Sequence, residues 1–227
     1  MADHENTQPA HGAGLRGVIT DWGGVLTNPL RETVNAWLEA DGIERNSYRA
    51  LMQTWLTQAY TEGAANPVHA LERGDGDPAD FERALAAQLV SLDGSPVQAS
   101  GLLNRMFAGS LAVPEMYDLL RALRQAGIKT CLLSNSWGDV AYPVEVFPEL
   151  FDAWVISSQV RMRKPEAEIF LHAARLLDLE PEQCVFIDDI DANVQAANSL
   201  GMIGVLHTDA PATAAKLAGL LDLPLNN

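Results

Sequence analysis

Five short, unbroken apolar runs punctuate the chain, at residues 15–20, 129–133, 153–157, 184–187 and 204–207. Apolar runs of this length, without polar alternation, suit strands covered on both faces, as in a parallel sheet. Helical patterns separate the later four and follow the last. Residues 114–126 open on Pro114 and stop at Gly127, the asymmetry expected of a helix. Residues 165–177, 191–200 (stopped by Gly201) and 211–221 read the same way. Strands and helices in alternation predict a doubly wound α/β core on a parallel sheet.

About a hundred residues separate the first run from the second, far more than a crossover needs. Within them, residues 31–39, 47–60, 78–90 and 96–107 carry helical spacing, as in Phe81, Leu85 and Leu89. The expected organisation is a flexible tail at 1–14, a core from 15–29 and 111–227, and a helical cap at 30–110 packed over the sheet edge. There is no internal repeat. The one biased segment, 74–80, reads as a solvated turn with Asp77 or Pro78 starting a helix.

With 227 residues, 48% of them hydrophobic, the chain can bury one sizeable core plus a small second module. Its net charge of −15 and lack of a basic run speak against nucleic acid or an anionic membrane as a partner. An anionic substrate would therefore need a local positive patch. No run approaches the roughly 20 apolar residues of a membrane span. The polar N-terminus lacks a signal-peptide core, so a cytoplasmic protein, monomer or homodimer, is expected. Cys131 and Cys184 sit in strand-like runs and read as buried, reduced thiols.

Ligands of open parallel sheets bind beyond the carboxyl ends of the strands. The first strand ends at Asp21, followed by Trp22, Gly23 and Gly24; the second at Ser134 and Asn135; the fourth at Asp188 and Asp189. Lys164 follows the third strand, before Pro165. A carboxylate can attack phosphorus and hold the phosphoryl group as a mixed anhydride. Attack of anion on anion needs neutralisation, which Mg²⁺ and a lysine supply. Mg²⁺ takes one or two carboxylates plus substrate oxygens and water, a demand that Asp21 and Asp188 fit. Ser134 and the backbone N–H groups of a helix start after it can donate to phosphoryl oxygens.

The stretches ITDWGGVL at 19–26, CLLSNS at 131–136, RKP at 163–165 and FIDDIDAN at 186–193 occur in the order of the four motifs of the haloacid dehalogenase-like hydrolases, which the chain resembles. The resemblance implies a Rossmann-like core with an inserted helical cap. It implies Asp21 as nucleophile, the Gly23 carbonyl oxygen and Asp188 as Mg²⁺ ligands, and Asp189 as a second ligand or a helper through water. Ser134, Asn135 and Lys164 would hold the phosphoryl group of a small phosphorylated metabolite, such as a sugar phosphate, and Asn193 would brace the metal loop. The implied strand order sets the first strand beside the fourth.

One position departs from the family pattern. Most of its phosphatases carry an aspartate two residues after the nucleophile as general acid and base; here it is Gly23. Losing such a group costs about 10²- to 10⁴-fold in rate. Two other readings follow: a metal-independent dehalogenase, against which the tandem Asp188 and Asp189 count, and a non-catalytic phosphate-binding or regulatory protein, favoured by Gly23. His69, which reads as a surface residue, and Glu72 are the candidates to replace the acid.

Each residue also has a plainer reading. Asp21 could end a turn, Ser134 and Asn135 could cap a helix, and Asp191 reads better as an N-cap than as a ligand. Lys164 is one of only three lysines. Gly12, Gly14 and Gly17 match a dinucleotide-binding spacing but precede the strand. Asp75, Asp77 and Asp80 lack the spacing of a calcium loop. Trp37 and Trp55 read as cap core; Trp137, close behind Ser134, reads as lying near the site.

Overall fold

The computed structural model describes residues 14–58, 66–138 and 142–224. All but the last residue of the tail expected at 1–14, and the last residues of the helix expected at 47–60, fall outside them. β1 (Gly17–Thr20), β2 (Lys129–Ser134), β3 (Ala153–Ile156), β4 (Cys184–Asp188) and β5 (Ile203–Leu206) form one parallel sheet in the order β3-β2-β1-β4-β5. All four residues of β1 are buried. As the central strand it is covered on both faces, which is why its sequence shows no polar alternation.

Between β1 and β2 lie α1 (Leu30–Ala40), α2 (Arg45–Gln58), α3 (Pro67–Glu72), α4 (Pro78–Ala86) and α5 (Leu102–Phe107), followed by α6 (Pro114–Gln125). Beyond β2 come α7 (Phe147–Leu150), α8 (Ser157–Val160), α9 (Ala167–Leu176), α10 (Asp191–Ser199) and α11 (Ala210–Leu221). Met116, Leu119, Leu120 and Leu123 of α6 and Leu217 of α11 pack with Val18, Leu132 and Val185 on one face of the sheet. Ile169, Phe170 and Ala173 of α9 and Ala197 of α10 pack with Ile19, Cys131 and Phe186 on the other. Val18 and Ile19 thus face opposite ways, as successive strand residues must. Both cysteines are buried free thiols.

The helices α1 to α5 enclose a separate apolar cluster around Trp37, Trp55, Phe81, Leu85, Leu102 and Met106. The chain enters and leaves this insertion side by side. Thr27 and Ala112 form an antiparallel bridge, Val113 N–H donates to the Leu26 carbonyl at 3.0 Å, and Asn28 exchanges bonds with Leu111 at 2.9 and 2.8 Å. Among the described residues, no helix is long and apolar enough to cross a membrane.

Element boundaries differ from the sequence reading where a local rule intervenes. α5 starts at Leu102, not at residue 96, because Gly101 before it is left-handed (φ 70°). α4 ends at Ala86 instead of 90. α3 was not expected, although Asn66 caps it through Val68 and His69 N–H and Pro67 opens it, a recognisable start signal. α8 follows β3 directly, so a short helix separates the third strand from Lys164. Asp77 caps α4 as expected, accepting from Ala79 and Asp80 N–H. Asp191 is the first residue of α10 and not its N-cap, which is Ile190. No helix starts directly after Ser134, since residues 135–138 are irregular.

The sheet and α10 meet at Gly204. A Cβ there would lie 2.6 Å from a Val194 methyl and 2.9 Å from the Val194 carbonyl oxygen. Gly204→Ala therefore forces α10 away from β5. It is expected to cost about 1–3 kcal/mol in a urea denaturation series; wild-type stability would contradict this packing.

Candidate active site

Sheet register delivers the polar residues to one rim. Thr20 pairs with Ile187 of β4 and with Leu132 of β2, so Asp21 emerges beside Asp188 and one position short of Ser134. Asp21 N–H still donates to the Ile187 carbonyl at 2.9 Å. The chain then turns sharply on the Trp22 carbonyl, which accepts from Leu26 N–H at 2.9 Å. Gly24 has φ +77°, and a Cβ on it would collide with the Asp189 carboxylate. Gly24 thus satisfies both a left-handed turn and a close carboxylate.

Asp21, Asp188 and Asp189 gather within 4.8 Å of one another. The Lys164 ammonium lies 2.8 Å from Asp21 Oδ1 and 2.7 Å from Asp188 Oδ2, with Lys164 1% exposed and Asp188 fully buried. Asp188 also accepts from Ile190 N–H at 2.8 Å and from Asn193 Nδ2 at 3.1 Å on both oxygens. Burial pushes the Asp21 carboxyl up to about 7; Lys164 opposes this and Asp188 adds to it. Burial lowers the Lys164 ammonium, but Asp21 and Asp188 outweigh it and hold the group above its ordinary value. Burial, then Asp188, also raises Asp189. For Asp21 and Asp189 burial is the larger cause and the like charge of Asp188 the lesser, while for Lys164 the two opposite charges prevail.

The structure brings Asp21, Ser134, Asn135, Lys164, Asp188 and Asp189 to one rim. The Asn135 side chain is committed to the loop that carries Lys164: it accepts from Lys164 N–H at 2.9 Å and donates to the Lys164 carbonyl at 3.1 Å. Ser134 is 3% exposed, and its hydroxyl lies 2.9 Å from the Tyr142 hydroxyl, a contact that no motif announces. A Cβ on Gly23 would meet nothing within 4 Å, and its φ lies outside the left-handed range.

Neither candidate for the missing acid is arranged to donate. Glu72 is buried, pairs with Arg163 and accepts from Trp137 Nε1. His69 is half-buried, not a surface residue. Burial, with Arg163 and Arg73 next to it, pushes its imidazole down to about 4, so it is neutral at pH 7. These residues instead join the insertion to the core. Glu72 meets Arg163, Arg73 meets Glu166, Arg161 meets Asp75, and the Ser157 hydroxyl donates to the Glu72 carbonyl. Trp37 and Trp55 are insertion core as expected, and Trp137 packs edge-on against Phe81 and Phe107.

The family model of the haloacid dehalogenase-like hydrolases matches residues 15–201. The chain belongs to that family. A sesquiterpene phosphatase of Aspergillus oryzae is 30% identical over 213 residues, covering 91% of this chain and 97% of that one. A glyceraldehyde 3-phosphate phosphatase of Methanopyrus kandleri is 28% identical, covering 78% of this chain and 72% of that one. A haloacid dehalogenase family enzyme of Bacteroides thetaiotaomicron, crystallised as a mutant with magnesium and inorganic phosphate, superposes with a TM-score of 0.63 at 24% identity over 86% of this chain and 95% of that one. That likeness carries the fold.

The buried Glu72–Arg163 pair should matter far more than the exposed one. Glu72→Ala strands an arginine that is 13% exposed and is expected to cost about 3 kcal/mol. Asp75→Ala, facing an arginine 76% exposed, is expected to stay within about 0.5 kcal/mol of wild type. Chemical denaturation of both variants checks this; equal losses would contradict it.

Proposed function

We propose that this hydrolase is a Mg²⁺-dependent phosphatase of small phosphomonoesters in which Asp21 is the nucleophile. The observation that carries the reading is the rim itself. Asp21, Asp188 and Asp189 converge on one point, a buried lysine bridges two of them, and the negative charge that the lysine does not offset is what one divalent cation would balance. The phosphatase relatives support the same reading. A carboxylate-rich oxygen donor set suits Mg²⁺, and Asp21, Asp188, Asp189 and the Gly23 carbonyl oxygen would hold it. When bound, the ion supplies neutralisation of the phosphoryl charge. The gathered acids count against a metal-independent dehalogenase, which needs no such cluster.

The chain's own residues then have these tasks. Asp21 attacks phosphorus; the bond from phosphorus to the ester oxygen breaks, and that oxygen leaves with the electron pair. Lys164 screens the nucleophile and the incoming phosphoryl group, and Ser134 donates its hydroxyl to a phosphoryl oxygen. Asn135 works through Lys164, whose backbone it clamps, and Asn193 steadies Asp188. Water next attacks the phosphorus of the aspartyl-phosphate, frees inorganic phosphate and restores Asp21. The insertion acts as a cap, held to the core through Glu72 and Arg163, and its side chains select the substrate. With glycine at 23, the leaving oxygen takes its proton from water.

Asp21→Asn is expected to abolish hydrolysis of an aryl phosphate while leaving the melting transition in place. Chelation is expected to stop the wild type reversibly, Mg²⁺ restoring the rate. Undiminished turnover in Asp21→Asn, or indifference to chelator, would overturn the reading.

The glycine at 23 sets a second expectation. Without a positioned acid, single-turnover rates should fall steeply as leaving-group pKa rises, so aryl and anomeric sugar phosphates outrun primary alkyl phosphates. Gly23→Asp, for which a Cβ has room, should flatten that slope. A flat plot for the wild type would mean that a proton donor already serves the site.

A further inference from the structure

Tyr142 belongs to none of the four motif stretches, yet it touches two of them. Its ring meets the Trp22 ring edge-on at 5.6 Å, next to Asp21, and the Phe147 ring at 6.2 Å. Its hydroxyl lies 2.9 Å from Ser134 Oγ. Trp22 is held in turn against Tyr117 and Phe147. The Tyr142 ring thus packs into one cluster with Trp22 and Phe147, and its oxygen meets the end of β2.

A serine hydroxyl has a single proton and two acceptor sites. If Ser134 gives that proton to a phosphoryl oxygen, the bond to Tyr142 must run the other way, with the phenol donating. The surroundings keep the phenol protonated: burial pushes it up to about 12, against the lowering effect of the Ser134 bond, and the negative charge of Asp21 adds to the rise. A Ser134 hydroxyl without this donor would rotate among several partners, and its proton would face the phosphoryl group only part of the time.

We propose that Tyr142 is a positioning residue, whose O–H occupies one acceptor site of Ser134 Oγ and so points the Ser134 proton at the phosphoryl group bound at Asp21. The proposal rests on the phosphatase reading and adds to it the residue that orients one of the phosphoryl donors. The bond is local, so nothing passes through the metal ligands. Tyr142→Phe removes one oxygen and keeps the ring in its aromatic setting.

The test is a cycle of four proteins: wild type, Ser134→Ala, Tyr142→Phe and the double variant. Two quantities are read at saturating Mg²⁺: the single-turnover rate on an aryl phosphate, and the inhibition constant of inorganic phosphate. Each single variant is expected to lose roughly 10- to 100-fold in rate and to bind phosphate more weakly. In the Ser134→Ala background, Tyr142→Phe is expected to do nothing further, because the hydroxyl it orients is gone. A merely structural role would give the same loss in both backgrounds, and that result overturns the proposal. A silent Tyr142→Phe beside an impaired Ser134→Ala overturns it alone and leaves the phosphatase reading standing. A Ser134→Ala protein equal to wild type overturns the assigned role of Ser134 and this proposal with it.

Discussion

The Lys164 ammonium, buried between Asp21 and Asp188, is the interaction on which the rest of the site depends. Three carboxylates at one rim repel each other, and taking them out of water adds to the cost. One buried cation makes the arrangement tolerable without completing it. The protein spends much structure on that one side chain. Asn135 grips its backbone at both the N–H and the carbonyl, and α9 waits until Ala167, leaving residues 161–166 free to turn toward the sheet. Asp188 is fixed from its other side by Ile190 N–H and Asn193. The incomplete neutralisation leaves negative charge at the rim; on the proposed reading a divalent cation would balance it before an anionic substrate could bind.

The same loop ties the site to the helical insertion. Arg163, the residue before Lys164, turns to Glu72 of α3, and Trp137, just past the Ser134 loop, reaches the same carboxylate. Gly74 backs this contact by letting the turn after α3 sit against the Ser158 carbonyl, where a Cβ would collide. The insertion is thus in direct contact with the segments that carry Lys164 and Ser134.

What the sequence revealed, and what it hid, follows from how far apart the cooperating residues are. Asp21, Ser134 and Asp188 were legible because strands buried on both faces leave unbroken apolar runs, and the first polar residue after each run marks the rim. Lys164 and Asp189 followed from the same reasoning with the family order added. Glu72 was legible only as a candidate proton donor in the insertion; its partner lies 91 positions away, and no pattern couples the two. Tyr142 was hidden for a related reason, since its reach to Ser134 depends on the irregular path after β2. The glycine at 23 could be read from sequence, but not the room that the backbone there leaves for a Cβ.

The most direct test of the central claim is to find the phosphoryl group on the protein. Acid quenching during turnover of an aryl phosphate, peptic digestion at low pH and mass spectrometry should show one added phosphoryl group on the peptide that contains Asp21, labile to hydroxylamine as an acyl phosphate is. A phosphoryl group on any other peptide, while turnover proceeds, would contradict the account.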